Sequence, residues 1–327
     1  MTDVLTLGEA MVRLTPPHFR RLEQAYSLDV EVGGAELNTA VGLARLGRSV
    51  GWVSRLTDNP LGRLIANRAR ETGVSVDRVL FTDADRVGLY FLEFGAAPRA
   101  SGIVYDRADS AMARLAPGMI DWTTTFRGVR WFYVTGITAA VSPSSAAATL
   151  EALRAARAGG LTTALDPNYR AKLWSVEAAR AWLTEAIPLI DVLISNPEDL
   201  ERFFDVADDD VERAAADAVN RLRLKAVALT FRQTPSVWRN TVSAVGYSAG
   251  RFVRSKSYDV EIVDRLGSGD AFTAGLLHGL IDDDLEAGIE CGVAMSALKH
   301  SVPGDFPWLT KAEVDGLLQG GGMRISR

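Results

Sequence analysis

Short runs of β-branched and aromatic residues alternate with longer helical patterns along most of this chain, and that alternation restricts its fold more than any other feature. Val4–Leu7, Val50–Ser54, Trp131–Thr135, Thr162–Leu165, Val192–Ser195 and Ala226–Thr230 are short and apolar, and they predict buried strands. Between them, Ala35–Leu46, Gly62–Thr72, Ser144–Ala158, Val176–Ile187 and Asp209–Leu222 predict helices. Strands that alternate with helices in this way build an α/β fold, a parallel sheet covered by helices. The glycines in Leu46-Gly47-Arg48 and Ala158-Gly159-Gly160 mark two helix ends, where left-handed backbone is wanted.

Two stretches, about 10–32 and 86–108, break the pattern. They hold strand-like pieces, Val87–Phe94 and Ile103–Tyr105, with no helix long enough to cover them. A small accessory sheet with one exposed face is expected there, suited to closing over a ligand or pairing with a second subunit; two ordinary surface hairpins would satisfy the same pattern. With no repeat, low-complexity tract or linker, residues 1–327 read as one domain carrying this lid, and Gly320-Gly321-Gly322 predicts the start of a frayed tail.

Composition excludes several function classes. A net charge of −5 with no basic run argues against a nucleic-acid partner. No run of about 18 apolar residues occurs, so no membrane span is expected. Met1–Glu9 lacks a basic segment followed by an apolar one, so no signal peptide is expected, and the chain reads as cytoplasmic. Cys291 has no second cysteine to pair with and reads as a buried thiol.

Chemistry concentrates in Gly267-Ser268-Gly269-Asp270. A strand is predicted at 259–263 and a helix at Ala271–Ile281, so these residues occupy a helix N-terminus. Amides there lack intrahelical partners, the helix dipole favours negative charge, and glycines let the backbone approach a phosphate. A carboxylate at the same place is positioned to take a hydroxyl proton during phosphoryl transfer. Taken alone, the pattern fits a plain turn with Asp270 as helix cap better than a catalytic aspartate. It is neither a Walker A loop, lacking Gly-Lys-Ser/Thr, nor a dinucleotide fingerprint, which follows an early strand.

Context changes the balance. The stretch Asp264-Arg265-Leu266-Gly267-Ser268-Gly269-Asp270-Ala271-Phe272 is preceded, far upstream, by Gly33-Gly34-Ala35-Glu36-Leu37-Asn38-Thr39-Ala40 and Leu43-Ala44-Arg45-Leu46-Gly47. In this order, over nearly the whole chain, these signatures resemble the ribokinase (PfkB) family of carbohydrate kinases. Within it the chain is most similar to the 2-keto-3-deoxygluconate kinases, on Gly8-Glu9, Arg13-Leu14, Tyr105-Asp106-Arg107, Ser110-Ala111, Asp166-Pro167-Asn168-Tyr169-Arg170 and Lys172-Leu173-Trp174. The arginines have a physical rationale, because guanidinium forks bind the carboxylate of a sugar acid and a neutral sugar has no such need.

The resemblance implies a ribokinase-like three-layer sandwich with a mainly parallel central sheet and a small β-sheet lid. It implies ATP and Mg2+, with phosphoryl transfer to a primary hydroxyl of a sugar acid, foremost 2-keto-3-deoxygluconate. Asp270 would be the base, and the amides of Gly267, Ser268, Gly269 and Asp270 the anion hole. Gly33, Gly34 and Asn38 would meet substrate hydroxyls, Tyr90 and Tyr105 would reach down from the lid, and Arg107 and Arg170 would hold the acidic or keto end. Arg232, Gly267, Gly269 and Gly304 would serve the nucleotide, with Asp166, Asn168, Asn196 and Asp199 in support. His300–Asp305 is similar to a loop that closes an adenine pocket, and Gly292, Ala294 and Ser296 on the preceding helix would admit a purine. A homodimer through the lid is also implied.

Three departures bear on these expectations. Arg265 stands where the family has threonine, which puts a neighbouring monovalent-cation site in doubt. Asn196-Pro197-Glu198-Asp199 ends on aspartate where glutamate is usual, and Glu198 is placed to compensate. Between Thr230 and Gly246 there is no glycine, although many relatives carry Lys-x-Gly-x-x-Gly there. Two rival functions stay open: a kinase for fructose, ribose or a nucleoside, and a non-catalytic relative that binds sugar or nucleotide.

Overall fold

The computed structural model describes residues 1–321, in which fourteen strands form two sheets. In chain order they are β1 (Thr2–Leu7), β2 (Met11–Thr15), β3 (Asp29–Gly33), β4 (Val50–Thr57), β5 (Ser75–Thr82), β6 (Leu89–Glu93) and β7 (Gly102–Asp106). Then follow β8 (Val129–Thr135), β9 (Thr162–Asp166), β10 (Val192–Ser195), β11 (Ala226–Ser236), β12 (Arg239–Ser248), β13 (Arg251–Arg254) and β14 (Tyr258–Glu261). Of the predicted tail, Gly322 lies outside the described residues.

The main sheet runs β13-β12-β11-β10-β9-β8-β1-β4-β5, with β14 also paired to β12. Every pair from β11 to β5 is parallel, and β12 is antiparallel to its three neighbours. Period-two alternation sends side chains to opposite faces. In β8, Trp131 and Tyr133 pack on one side while Phe132 and Val134 pack on the other. Helices Ala35–Arg45, Pro60–Glu71, Ser268–Leu280 and Leu285–Lys299 cover the first face through Leu37, Ile65, Leu276 and Val293. Pro143–Ala158, Val176–Ala186, Pro197–Phe204 and Val211–Leu222 cover the second through Leu153, Leu183, Phe203 and Ala215. The result is the expected three-layer sandwich with a mainly parallel sheet.

Stretches 10–32 and 86–108 supply the second sheet, ordered β3-β2-β6-β7. Its two hairpin pairings are antiparallel, and β2 joins β6 in parallel. Val12 and Val32 tie it to the main core, while Val30, Val104 and Tyr105 remain exposed.

Helix boundaries moved where caps decide them. Asn59 accepts from the amides of Leu61 (3.0 Å) and Gly62 (3.1 Å), so that helix starts at Pro60 and not Gly62. The helix after the glycine turn starts at Ser268 rather than Ala271, with Gly267 at its cap position. Asp270 therefore sits inside the first turn, and its carboxylate caps nothing. No helix among the described residues is long and apolar enough to cross a membrane.

Candidate active site

In open α/β sheets, ligands bind beyond the carboxyl ends of the strands, where the backbone leaves a crevice. Charged and polar residues gather at that edge here: Glu9 follows β1, Asp166 ends β9, Asn196 follows β10 and Arg232 lies on β11 past the last buried residue of that strand. Two clefts open at this edge and share one wall, the glycine turn. A cavity of about 860 Å³ is lined by Gly267 and Asp270, and a groove of about 480 Å³ by Ser268 and Gly269.

Gly267 is demanded twice over. Its φ of +79° is left-handed, and a Cβ there would stand 2.0 Å from the carbonyl oxygen of Asp305. This close approach aims the first-turn amides of the following helix at the boundary between the clefts. Amides in that turn have no intrahelical acceptor. The Ser268 amide makes only a long 3.4 Å contact with the Arg265 carbonyl.

Asp270 faces the larger cavity. Asn38 donates its Nδ2 to Asp270 Oδ2 at 2.6 Å, and the Gly34 amide donates to Asn38 Oδ1 at 3.2 Å, which fixes which end of the Asn38 amide points at the carboxylate. Burial pushes the Asp270 carboxyl up to about 7; the Asn38 hydrogen bond opposes that rise, and the charge on Asp166 adds to it. A carboxylate poised near neutrality, beside amides with no intrahelical acceptor, has the chemistry that a general base next to an anion hole requires.

The rest of the cavity wall carries most of the expected substrate residues: Gly33, Gly34, Asn38, Tyr90, Tyr105, Arg107 and Arg170 all line it. Arg107 is ion-paired with Glu9, which also accepts from the Ser110 hydroxyl. The Arg107 Nε is buried without a partner. Arg170 and Lys172 donate only to backbone carbonyls, Tyr169 at 3.1 Å and Ile103 at 3.4 Å, so neither forms an ion pair among the described residues, although the Arg170 charge is felt by Asp166 and Asp270. Three cations thus line a cavity whose sole paired one is Arg107.

Tyr90 behaves differently from the expectation. Its hydroxyl donates to Asp305 Oδ2 at 2.6 Å, so the ring, packed against Tyr105 at 5.9 Å between centroids, is what faces the cavity. Arg13, one of the arginines that suggested a sugar acid, lies outside the cavity altogether. It is buried beneath it, paired with Asp264 (2.7 Å) and Asp305 (2.8 Å).

The groove on the other side is walled by Phe231, Val242, Phe272 and Val293, with Thr230, Arg232, Ser243, Ser296 and His300. The glycine-free stretch after Thr230 is a continuous antiparallel hairpin, β11 to β12, with an irregularity between Gln233 and Ser236. Burial lowers the Arg232 guanidinium from its usual range, and the charges of Arg265 and Arg170 lower it further. Three guanidinia around one turn repel each other until an anion arrives. Burial holds His300 below its usual range, and its Nδ1 lies 2.7 Å from the Ser296 carbonyl.

Several supporting residues take other places than expected. Gly304 reaches neither cleft: at φ +82° it donates its amide to Asp264 Oδ2 at 3.1 Å. The loop His300–Asp305 is split, with His300 in the groove and Asp305 in the cavity, because it passes behind the glycine turn. On the preceding helix only Ser296 of the three small residues lines the groove; Gly292 packs against Phe272 and Ala294 is core. Asp199 is held by Arg202 (2.9 Å) and by Asn196 Nδ2 (3.1 Å), whereas Glu198 lines the groove with no such partner. Asp166 accepts from the Asn168 amide at 2.8 Å, and burial raises its carboxyl to about 7.

Glu9, Lys172, Leu266 and Asp305 complete the cavity without having been singled out. Glu9 and Lys172 stood inside recognised segments, and their charge opposite Arg107 and beside Arg170 was the available signal. Asp305 gave none, since only folding brings it to Gly33.

Comparison with known proteins bears on the chain as a whole. The model of the pfkB family carbohydrate kinase matches residues 1–308. A 2-dehydro-3-deoxygalactonokinase of Haloferax volcanii is 36% identical over 326 residues, 99% of each chain. A 2-dehydro-3-deoxygluconokinase of Bacillus subtilis is 26% identical, covering 95% of this chain and 93% of that one. Among solved structures, the 2-dehydro-3-deoxygluconokinase of Thermotoga maritima superposes with a TM-score of 0.93 at 36% identity, covering 98% of this chain and all of its own.

Proposed function

The chain belongs to the pfkB family of carbohydrate kinases, and from that premise we propose that it transfers the γ-phosphoryl group of ATP to the primary hydroxyl of 2-keto-3-deoxygluconate (2-dehydro-3-deoxygluconate). The observation that carries the reading is the Asp270 carboxylate, set on the turn that forms the wall between a cation-lined cavity and a groove bearing Arg232.

The sugar acid lies in the cavity with its carboxylate toward Arg107, Arg170 and Lys172, and its far hydroxyl at Asp270. Asp270 accepts the hydroxyl proton as the oxygen bonds to the γ-phosphorus. The bond from that phosphorus to the bridging oxygen breaks, ADP leaves, and the turn amides take up the charge that develops on the phosphoryl oxygens. On the groove side Arg232 holds the nucleotide phosphates, and Phe231, Val242 and Phe272 offer apolar surface to the base.

Kinases of this kind use magnesium. Among the described residues no three His, Cys, Asp or Glu side chains cluster as a metal cage. The free Glu198 carboxylate, with Asn196, fits an ion held largely by phosphate and water instead. When bound, Mg2+ neutralises phosphate charge.

The galactonate-derived epimer is a second reading, favoured by the identity with the Haloferax volcanii kinase. Measuring ADP release with both epimers, fructose and ribose tests the assignment: turnover on the acids alone supports it, and preference for a neutral sugar overturns it. ATP use fits a cytoplasmic enzyme. The outer face of the lid exposes Tyr26 (95%), Val30 and Val104, apolar surface suited to a second copy; a monomeric mass by light scattering would remove that part.

A further inference from the structure

Beneath the glycine turn lies a charged cluster to which the chemistry above assigns no step, although its Asp305 reaches the cavity wall. Arg13 on β2, 2% exposed, pairs with Asp264 and Asp305 and donates its Nε to the Thr15 hydroxyl at 2.9 Å. Lys299, 0% exposed at the end of its helix, donates Nζ to the Val302 carbonyl at 2.9 Å and reaches the Asp264 carbonyl at 3.5 Å. The Asp264 carboxylate also accepts from the amides of Leu266 and Gly304, each at 3.1 Å, and Asp305 accepts from Tyr90. Two carboxylates thus meet two cations, and Glu31 stands close enough to feel Arg13, Asp264 and Asp305.

These contacts hold the two segments that shape the turn. Residues 264–266 lead into it, and 302–305 pass beneath it so closely that only glycine fits at 267. A buried alkali ion is held by carbonyl and carboxylate oxygens that replace its water. Here the oxygens next to Arg265 that would do so, the carbonyl and carboxylate of Asp264, already receive Lys299 and Arg13. The monovalent cation implied beside Arg265 therefore does not fit. Burial pulls the Lys299 ammonium below its usual range, and Asp264 and Asp305 pull it back.

We infer that Arg13 and Lys299 are built-in cations standing in for a dissociable one: they fix the loops around the anion hole and make phosphoryl transfer independent of potassium, sodium or ammonium. They are positioning residues, and the inference rests on the phosphotransferase reading of the turn.

The test begins with wild-type enzyme in a tetramethylammonium buffer, a cation too large for a carbonyl cage. Replacing it by potassium, sodium or ammonium at about 0.1 M and constant ionic strength is expected to change kcat by less than about twofold; activation of about tenfold by any of them overturns the inference. The melting temperature in the same salts is expected to agree within about 1 °C, whereas a saturable rise of several degrees would reveal a bound ion. That reading needs no turnover, so it stands even if the substrate assignment fails.

Lys299→Ala opens an ammonium-sized space, and its kcat is expected to fall about tenfold with little change in either KM and to recover in part with ammonium or potassium. Lys299→Met fills the space without charge and is expected to fall as far and not recover. A Lys299→Met enzyme with wild-type kcat overturns the inference. Should neither variant fold, the wild-type salt series and melting curves decide.

Discussion

The two clefts that share the glycine turn are built on opposite plans. On the sugar side most of the functional groups are committed to one another before any ligand arrives, Asp270 to Asn38, Arg107 to Glu9 and Tyr90 to Asp305, while Arg170 and Lys172 have only backbone partners among the described residues. On the nucleotide side Arg232 is crowded by like charge and Glu198 has no partner among the described residues. The first arrangement is preorganised, so its geometry belongs to the fold. The second leaves those charged groups without protein partners, so on the proposed reading the nucleotide completes its geometry.

The largest expected effect lies at the shared wall. Asp270→Asn removes the base but keeps the shape and the Asn38 neighbour, so kcat should fall by about 10³-fold with each KM within about threefold, as read by steady-state ADP release. Turnover near wild type would end the comparison, since neither cleft would then be serving Asp270.

Arg107→Ala comes next. It should raise the sugar-acid KM about 100-fold, leave the ATP KM alone and lower the melting temperature, because Glu9 is left buried and unpaired. Unchanged kinetics would point to a neutral sugar. Arg232→Ala should do the reverse: about tenfold in the ATP KM, or about 1.4 kcal/mol, with the sugar KM and the melting temperature unmoved. A large loss of stability there would erase the distinction between the two sides.

The smallest effect sharpens the sugar side alone. With the Asp270 carboxyl near 7, the base is protonated and idle in acid, so kcat/KM should fall about tenfold per pH unit below neutrality. Asn38 favours the ionised form, and Asn38→Ala should therefore move that limb to higher pH by up to about one unit. A limb that stays put would show that Asn38 orients substrate and leaves the base untouched.

Sequence reasoning reached these clefts unevenly, for physical reasons. Asp270, Asn38 and Arg107 were legible because each sits in a dense local pattern whose chemistry needs those residue types at that spacing. Asp305 was not, because its partners, Arg13, Gly33 and Tyr90, come from three distant segments and meet only in the folded chain. The parallel core strands were read in the right places, Val192–Ser195 to the residue, since burial on both faces makes them uniformly apolar, while β4 and β11 run on past the apolar stretch to Thr57 and Ser236. β5 was missed because it is an edge strand with Asp77 and Arg78 at its middle, and β12 because it extends a polar hairpin past Pro235. Gly304 and Gly292 read as ligand-facing for want of a neighbour in view; each turned out to be shaped by a contact with the protein itself, Asp264 and Phe272.

One consequence of the Arg13 pairing concerns how a substrate gets in. Lifting β2 would strip two buried carboxylates of their guanidinium, and breaking such a pair costs about 3–5 kcal/mol. Within β7 there is no buried ion pair: Gly102, Val104, Tyr105 and Asp106 are all exposed, Asp106 is held by Arg86 at the surface, and the buried Arg107–Glu9 pair follows only after the strand has ended. The small sheet is thus fixed at the inner strand β2 and exposed along β7, which makes the edge under β7, past the ring of Tyr105, the way in that we propose for the substrate.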